Sequence, residues 1–161
     1  MQKNKGKSIA KVGILAALYV VLTVLFAPLS YGAVQIRLSE MFNHMIDFNK
    51  RYIWALILGC ALANFASSLG PIDLVFGVLG TTLSSLSIYF INKRVKDIRW
   101  KFAVSTIVPT FFTFTVALEL VIVNKLPFWI TWGTVAVGEL ISCLIGIVLV
   151  SALNKRFDLS K

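Results

Sequence analysis

The sequence predicts an all-α integral membrane protein of six transmembrane helices with both termini in the cytoplasm. The first observation is a mismatch between size and hydrophobicity. A chain of 161 residues that is 58% hydrophobic, 14% charged and has a mean hydropathy of +0.84 carries more apolar surface than a soluble domain of that size buries. The second is continuity: no charge interrupts Val12 to Ile36, Tyr52 to Ile72, Leu74 to Asn92 or Phe102 to Leu118, and Glu139 alone interrupts Leu126 to Asn154. Each run is near the ~20 residues that cross a bilayer core as a helix, whereas barrel strands alternate. The third is the placement of the 16 Lys and Arg. Those at positions 3–11, 50–51, 93–101 and 155–161 fall at alternate ends of the apolar runs, leaving only Arg37 and Lys125 for the other side. Positive residues are retained in the cytoplasm, so the formal net charge of +9 is an orientation signal rather than a nucleic-acid footprint.

The chain reads as one transmembrane domain over 1–161, with no linker, repeat or low-complexity segment. The first span, about 9–28, ends at Pro28 and Gly32. It is too long for a signal-peptide core, and Ala27-Pro28-Leu29 stands where small cleavage-site residues belong, so it is read as a retained helix. The second, about 37–48, is short and polar, and is required because Pro28 lies outside while Lys50 and Arg51 lie inside. It must pack against protein, with a possible outer extension through Val34 to Ile36. The third, about 51–68, ends in the turn Ser67-Ser68-Leu69-Gly70-Pro71. The fourth, about 72–93, carries Gly77, Gly80, Thr81, Thr82, Ser84 and Ser85, small residues that allow close helix packing in lipid. The fifth, about 100–124, contains Pro109 as a kink, and the sixth runs about 128–156.

No phosphate-binding Gly-rich loop with Lys-Ser/Thr, no His-Glu-x-x-His and no Gly-x-Ser-x-Gly occurs. The chain therefore has no means of hydrolysing ATP and no catalytic or cofactor signature. His44 is the sole histidine, which leaves a metal site to carboxylates, and Cys60 and Cys143 lie inside apolar spans as small buried residues.

The acids are more informative. Of seven, Glu40, Asp73, Glu119 and Glu139 fall in the outer half of the bundle or near its middle. At ~1.5 Å per residue from the outer helix ends, Glu119 lies roughly 8 Å deep and Glu139 roughly 16 Å deep. An ionised carboxylate facing hydrocarbon is expensive, so both face protein or a wet cavity. Gln35, Arg37 and Ser39 lead into Glu40, and Asn64 and Asp73 approach the same level. Trp132 and Glu139, seven residues apart, share a helix face, a stacking plate above a carboxylate. Simpler readings stand beside these: Glu40 pairing with Arg37, Asp73 as a helix-start acid, Trp129 and Trp132 as interfacial anchors, and Glu119 and Glu139 as interhelical hydrogen-bonding groups. At the cytoplasmic end of the first span, Ala10, Gly13, Ala16 and Ala17 form a small-residue stripe against which another helix can pack.

Ala16-Ala17-Leu18-Tyr19-Val20-Val21-Leu22-Thr23, Ala27-Pro28-Leu29-Ser30-Tyr31-Gly32 with Gln35-Ile36-Arg37-Leu38-Ser39-Glu40, Gly59-Cys60 with Ala63-Asn64, and Leu69-Gly70-Pro71-Ile72-Asp73 with Phe76-Gly77 resemble the QueT family. These are the substrate-binding S components of energy-coupling factor (ECF) transporters assigned to queuosine precursors. The resemblance covers nearly the whole chain. It implies an S-component bundle with a cavity near the outer face, and as partners a transmembrane coupling subunit, EcfT, and two cytoplasmic ATPases. It further implies a 7-deazaguanine ligand: 7-aminomethyl-7-deazaguanine, its 7-cyano relative, or queuine. The family's Ala-x-x-x-Ala docking motif appears here as Gly13-x-x-x-Ala17. A guanine-type edge offers N–H donors to one carboxylate, and an aminomethyl cation would be neutralised by a second. Glu40, Glu119 and Glu139 are the candidates, with Asn64, Gln35 and Arg37 reading carbonyl and ring-nitrogen positions, Asp73 beside them and Trp132 stacking. The alternative is an S component for another vitamin or small heterocycle, since fold does not fix the ligand.

Overall fold

The computed structural model describes residues 2–32, 35–67 and 69–160, with side chains from residue 6 onward. Among them the chain is all-helical: α1 (Gln2–Leu25), α2 (Ala27–Ser30), a 3₁₀ helix (Leu38–Asp47), α3 (Arg51–Asn64), α4 (Pro71–Asn92), α5 (Ile98–Phe112), α6 (Phe114–Asn124) and α7 (Phe128–Arg156). Four helical segments are long and apolar enough to cross a membrane: Gly6–Leu25, Pro71–Asn92, Ile98–Asn124 and Phe128–Arg156. The solvent preference of the fold is inverted. Trp54, Phe65, Trp129 and Val148 are each at least 70% exposed, while Thr23, Ser39, Asn43, His44 and Ser142 are wholly buried, the distribution expected of a bundle solvated by lipid.

One proline sets a helix boundary that differs from the sequence expectation. Pro28 lacks an N–H and its ring crowds the carbonyl four residues earlier, so α1 stops at Leu25 and Pro28 sits in the separate turn α2. The fifth span stays one helical segment, Ile98–Asn124, with an irregularity at Thr113 that separates α5 from α6. Thr113 keeps helical dihedrals, and Thr113 N to Pro109 O at 3.1 Å and Ala117 N to Thr113 O at 3.0 Å carry the ladder through it. Threonine hydroxyls bond carbonyls along this stretch. Thr110 donates to Thr106 O at 2.7 Å, Thr113 to Thr110 O at 2.7 Å and Thr115 to Phe112 O at 3.1 Å, which keeps polar backbone satisfied without water.

The polar second segment is a ten-residue 3₁₀ helix. At ~2.0 Å per residue it reaches ~20 Å, where an α-helix of that length reaches ~15 Å. It runs through the middle of the bundle, in contact with α1, α3, α4, α5 and α7, and Ser39, Glu40, Phe42, Asn43, His44, Met45 and Ile46 are all buried. The third span is shorter than expected, 14 residues ending at Asn64, with its expected end at Ser68 outside the described residues. The expected outer extension of the second span is not helical at Gln35 and Ile36, and its Val34 lies outside the described residues.

Packing follows from small residues at the closest approaches. A Cβ on Gly59 would lie 2.8 Å from Tyr19 Cβ, which seats α3 on α1. A Cβ on Gly146 would lie 2.8 Å from both Met41 Cα and His44 Cδ2, which seats α7 on the 3₁₀ helix. Both ends of the described chain meet at the basic end of the bundle. There Asn49 Nδ2 donates to Ser160 O at 2.8 Å, Tyr52 OH to Leu159 O at 3.2 Å, and Lys7 and Lys11 share a groove with Lys50 and Arg51.

Gly146→Ala should therefore force the 3₁₀ helix away from α7, costing about 1–3 kcal/mol and lowering the melting temperature in detergent by several degrees. Gly133→Ala, where nothing lies within 4 Å of the added Cβ, serves as the matched control and should leave melting unchanged or slightly raised.

Candidate ligand-binding site

The junction between α5 and α6 borders a polar cavity. Gln35 and Arg37 line it from the loop, Glu40 from the 3₁₀ helix, and Val135 and Glu139 from α7. Gly77, Gly80, Thr81 and Ser84 form its α4 wall, at the three- and four-residue spacing that puts them on one helix face. Opposite them stand Pro109, Phe112, Thr113, Thr115 and Val116. A Cβ on Gly80 would run into Thr115 Oγ1, so glycine at this position is what lets α4 approach the α5–α6 junction. Space free for water-sized centres is about 40 Å³, room for a few waters. A bicyclic ligand thus requires the walls to part. Gln35, at the mouth, is buried with φ of +48°, a conformation that costs a non-glycine residue ~1–3 kcal/mol and clusters at functional sites.

Glu40 is held on both oxygens: Tyr19 OH donates to Oε1, and Asn43 Nδ2 donates to Oε2 at 2.9 Å. The same Asn43 amide lies 3.5 Å from Glu139 Oε1, linking the two carboxylates across the cavity floor. Thr23, one turn from Tyr19, meets Ser39 Oγ at 2.7 Å, so α1 fixes the 3₁₀ helix at two adjacent points. Arg37, the lone cation of the lining, is committed elsewhere. Its Nη2 donates to Asp73 Oδ1 at 3.1 Å and Oδ2 at 3.4 Å, its Nε reaches Ser30 O at 3.4 Å, and its guanidinium lies 5.5 Å from the Tyr31 ring centroid. The cavity is left rich in hydrogen-bond acceptors, with two carboxylates that its cation does not contact.

Of the eight residues singled out from sequence, Gln35, Arg37, Glu40 and Glu139 line this cavity and Asn64, Asp73, Glu119 and Trp132 do not. Glu40 does not pair with Arg37 three residues earlier; Asp73 does. Asn64 Nδ2 donates to Asp73 O at 2.8 Å and tethers α3 to the start of α4. Trp132 and Glu139 share a face, but seven residues separate them by ~10 Å along the axis, and the cavity lining on α7 extends only to Val135. Trp132 instead packs with Phe111, Phe128 and Trp129 at ring-centroid distances of 5.8, 5.8 and 5.9 Å. Glu119 is wholly buried and neither oxygen has a hydrogen-bond partner. Sequence reasoning missed Tyr19, Asn43 and the threonines of the α5–α6 junction. Their signal was present as polar side chains in apolar runs, and Gly77, Gly80, Thr81 and Ser84 were noted for packing when they also leave space. In the α1 stripe Ala10, Gly13 and Ala17 are exposed, with nothing within 4 Å of a Cβ on Gly13, whereas Ala16 is turned inward and buried.

The sequence profile described as QueT transporter matches residues 9–155. The chain belongs to the QueT transporter family. It is 39% identical over 170 aligned positions to the queuosine precursor transporter QueT of Lactococcus lactis subsp. cremoris (strain MG1363), covering 100% of both chains. No solved structure matches. As a QueT-family protein with several apolar spans, it is a transporter rather than an enzyme, a multi-pass protein of the plasma membrane.

The Arg37–Asp73 pair joins the cavity loop to α4, and its effect on folding can be separated from its effect on binding. Asp73→Ala leaves a buried guanidinium without its counter-charge and should cost about 3–5 kcal/mol. The double variant Arg37→Met/Asp73→Leu should recover most of that loss in a detergent melting experiment. Recovery of stability without recovery of ligand binding would assign Arg37 to recognition as well as to folding.

Proposed function

We propose that this chain is the substrate-binding S component of an ECF-type transporter importing a queuosine precursor, a 7-deazaguanine of the 7-aminomethyl, 7-cyano or queuine type. Six crossings of the membrane, with the basic end and both termini in the cytoplasm, complete the reading. It rests most heavily on one observation: a cavity whose two carboxylates, Glu40 and Glu139, are bridged by one amide while its cation is spent on Asp73. Such a site favours a ligand that brings N–H donors or positive charge. A deazaguanine brings both, a flat edge of N–H groups and, in the aminomethyl form, an ammonium. Family membership and the name of the Lactococcus relative point to the same substrate class. Gln35 reads the carbonyl and ring-nitrogen positions together with Arg37 Nη1, which the bonds of Nε and Nη2 to Ser30 and Asp73 leave available, while Asp73 and Asn64 support Arg37 and α4 from outside the lining.

Energy comes from partners: a coupling subunit, EcfT, and two cytoplasmic ATPases. The exposed edge of α1 formed by Ala10, Gly13 and Ala17 offers the coupling subunit a surface on which backbones approach closely. Ala16 takes no part because it faces the interior.

Glu40→Gln and Glu139→Gln should each weaken binding of 7-aminomethyl-7-deazaguanine to the purified protein by roughly 10- to 100-fold, the loss of one hydrogen bond to a charged group. Trp132→Phe should leave calorimetric affinity unchanged. Wild-type affinity in both glutamine variants would place the site elsewhere. Gly13→Leu should keep ligand affinity and lose co-purification with the coupling subunit and ATPases; retention of the complex would remove α1 from the docking surface.

A further inference from the structure

At the basic end, α3 is the floor of a groove of about 1,200 Å³ whose walls are α1 and α4. Four cations converge on its rim from two helices. Lys7 and Lys11 stand one turn apart on α1, and Lys50 and Arg51 stand at the start of α3. No carboxylate lines the groove, and among the described residues none pairs with Lys7, Lys11 or Lys50. Arg51 also donates to Ser160 O at 3.2 Å, which holds it at the rim. Below the cations the surface turns apolar. Trp54 and Ile57 form the floor, and Thr82, Leu86 and Phe90, at four-residue spacing on one face of α4, form a wall ~12 Å long. Trp54 is 70% exposed and Phe90 62%, so none of the described residues covers them.

Positive residues at a membrane interface are ordinary; a furrow continuous with them is not required by orientation. A cluster of cations above an apolar channel matches a molecule with an anionic head and a hydrocarbon tail. The N-terminus of α3 adds a positive dipole end at the same place. We propose that this groove is a binding site for one anionic phospholipid, its phosphate held among Lys7, Lys11, Lys50 and Arg51 and one acyl chain lying along Trp54, Ile57, Leu86 and Phe90. The site is separate from the ligand cavity, with which it shares no lining residue, and it does not depend on the substrate assignment.

Native mass spectrometry of the full chain released from detergent micelles tests this, with phosphatidylglycerol and phosphatidylcholine of identical acyl chains as probes. The wild type should retain one phosphatidylglycerol in preference to phosphatidylcholine, and that preference should fall on the order of five-fold for each of Lys7→Gln, Lys11→Gln and Lys50→Gln. The triple variant Lys93→Gln/Arg94→Gln/Lys96→Gln removes as much charge from the same end outside the groove and should leave retention unchanged. Thr82→Trp fills the apolar wall without altering charge and should also abolish retention, which keeps the test valid if a lysine variant fails to fold. Equal retention of the two lipids, equal loss in the Lys93/Arg94/Lys96 variant, unchanged retention in Thr82→Trp, or displacement of the lipid by inorganic phosphate alone would each overturn the proposal.

Discussion

The architecture depends on one constraint, that the polar stretch from Arg37 to Asp47 must run through the middle of an apolar bundle. Ser39, Glu40, Asn43, His44 and Asp47 find partners only inside protein, because lipid supplies none. Their partners are spread over four neighbouring helices. Tyr19 and Thr23 of α1 meet Glu40 and Ser39, the Cys143 carbonyl of α7 meets His44 Nε2 at 2.8 Å, and Asn92 of α4 and Ser105 of α5 both donate to Asp47 Oδ1 at 2.7 Å. The surrounding helices are thus ordered around the segment by hydrogen bonds they make with it. A 3₁₀ conformation suits the task, because it gains length per residue where only ten residues are available.

The cavity arises where this arrangement leaves space. Asn43 and His44 hold the 3₁₀ helix against α7, α4 presents glycine and small hydroxyl residues, and Pro109 and Thr113 line the opposite wall at the irregular point of the fifth span. Irregular backbone at membrane depth is tolerated where it lines a cavity. The acceptor surplus of the lining follows from a division of labour among charges. Arg37 serves Asp73 and the cavity edge, so Glu40 and Glu139 are left with neutral donors, the Tyr19 hydroxyl, the shared Asn43 amide and the Cys143 thiol.

The four long apolar helices were legible in the sequence because hydrophobic continuity acts over about twenty residues at a time and survives local error. The need for a short, protein-packed second segment was legible too, from topology alone, though its 3₁₀ form was not. Helix-period patterns do not separate the two helix types over ten residues. The irregularity of the fifth span was foreshadowed by Pro109, but a proline does not say that the helix will depart from regularity four residues later, at Thr113. Among candidate site residues, Gln35, Arg37, Glu40 and Glu139 reach the cavity, while Asp73 and Asn64 stand one shell behind it. That distinction rests on which acid Arg37 chooses, a tertiary fact that spacing along the chain cannot express. Trp132 shows the limit of face-sharing arguments: the right face of a helix at the wrong depth is still another site.

The bundle has an acceptor-rich cavity and an exposed small-residue edge, and its membership of the QueT transporter family narrows the chemistry to be sought. The central claim is that the cavity holds a deazapurine. The most direct measurement is mass spectrometry of the small molecule released when detergent-purified protein is denatured. The account predicts a 7-deazaguanine in amounts approaching one per chain, whereas a flavin, thiamine or biotin in its place would contradict it.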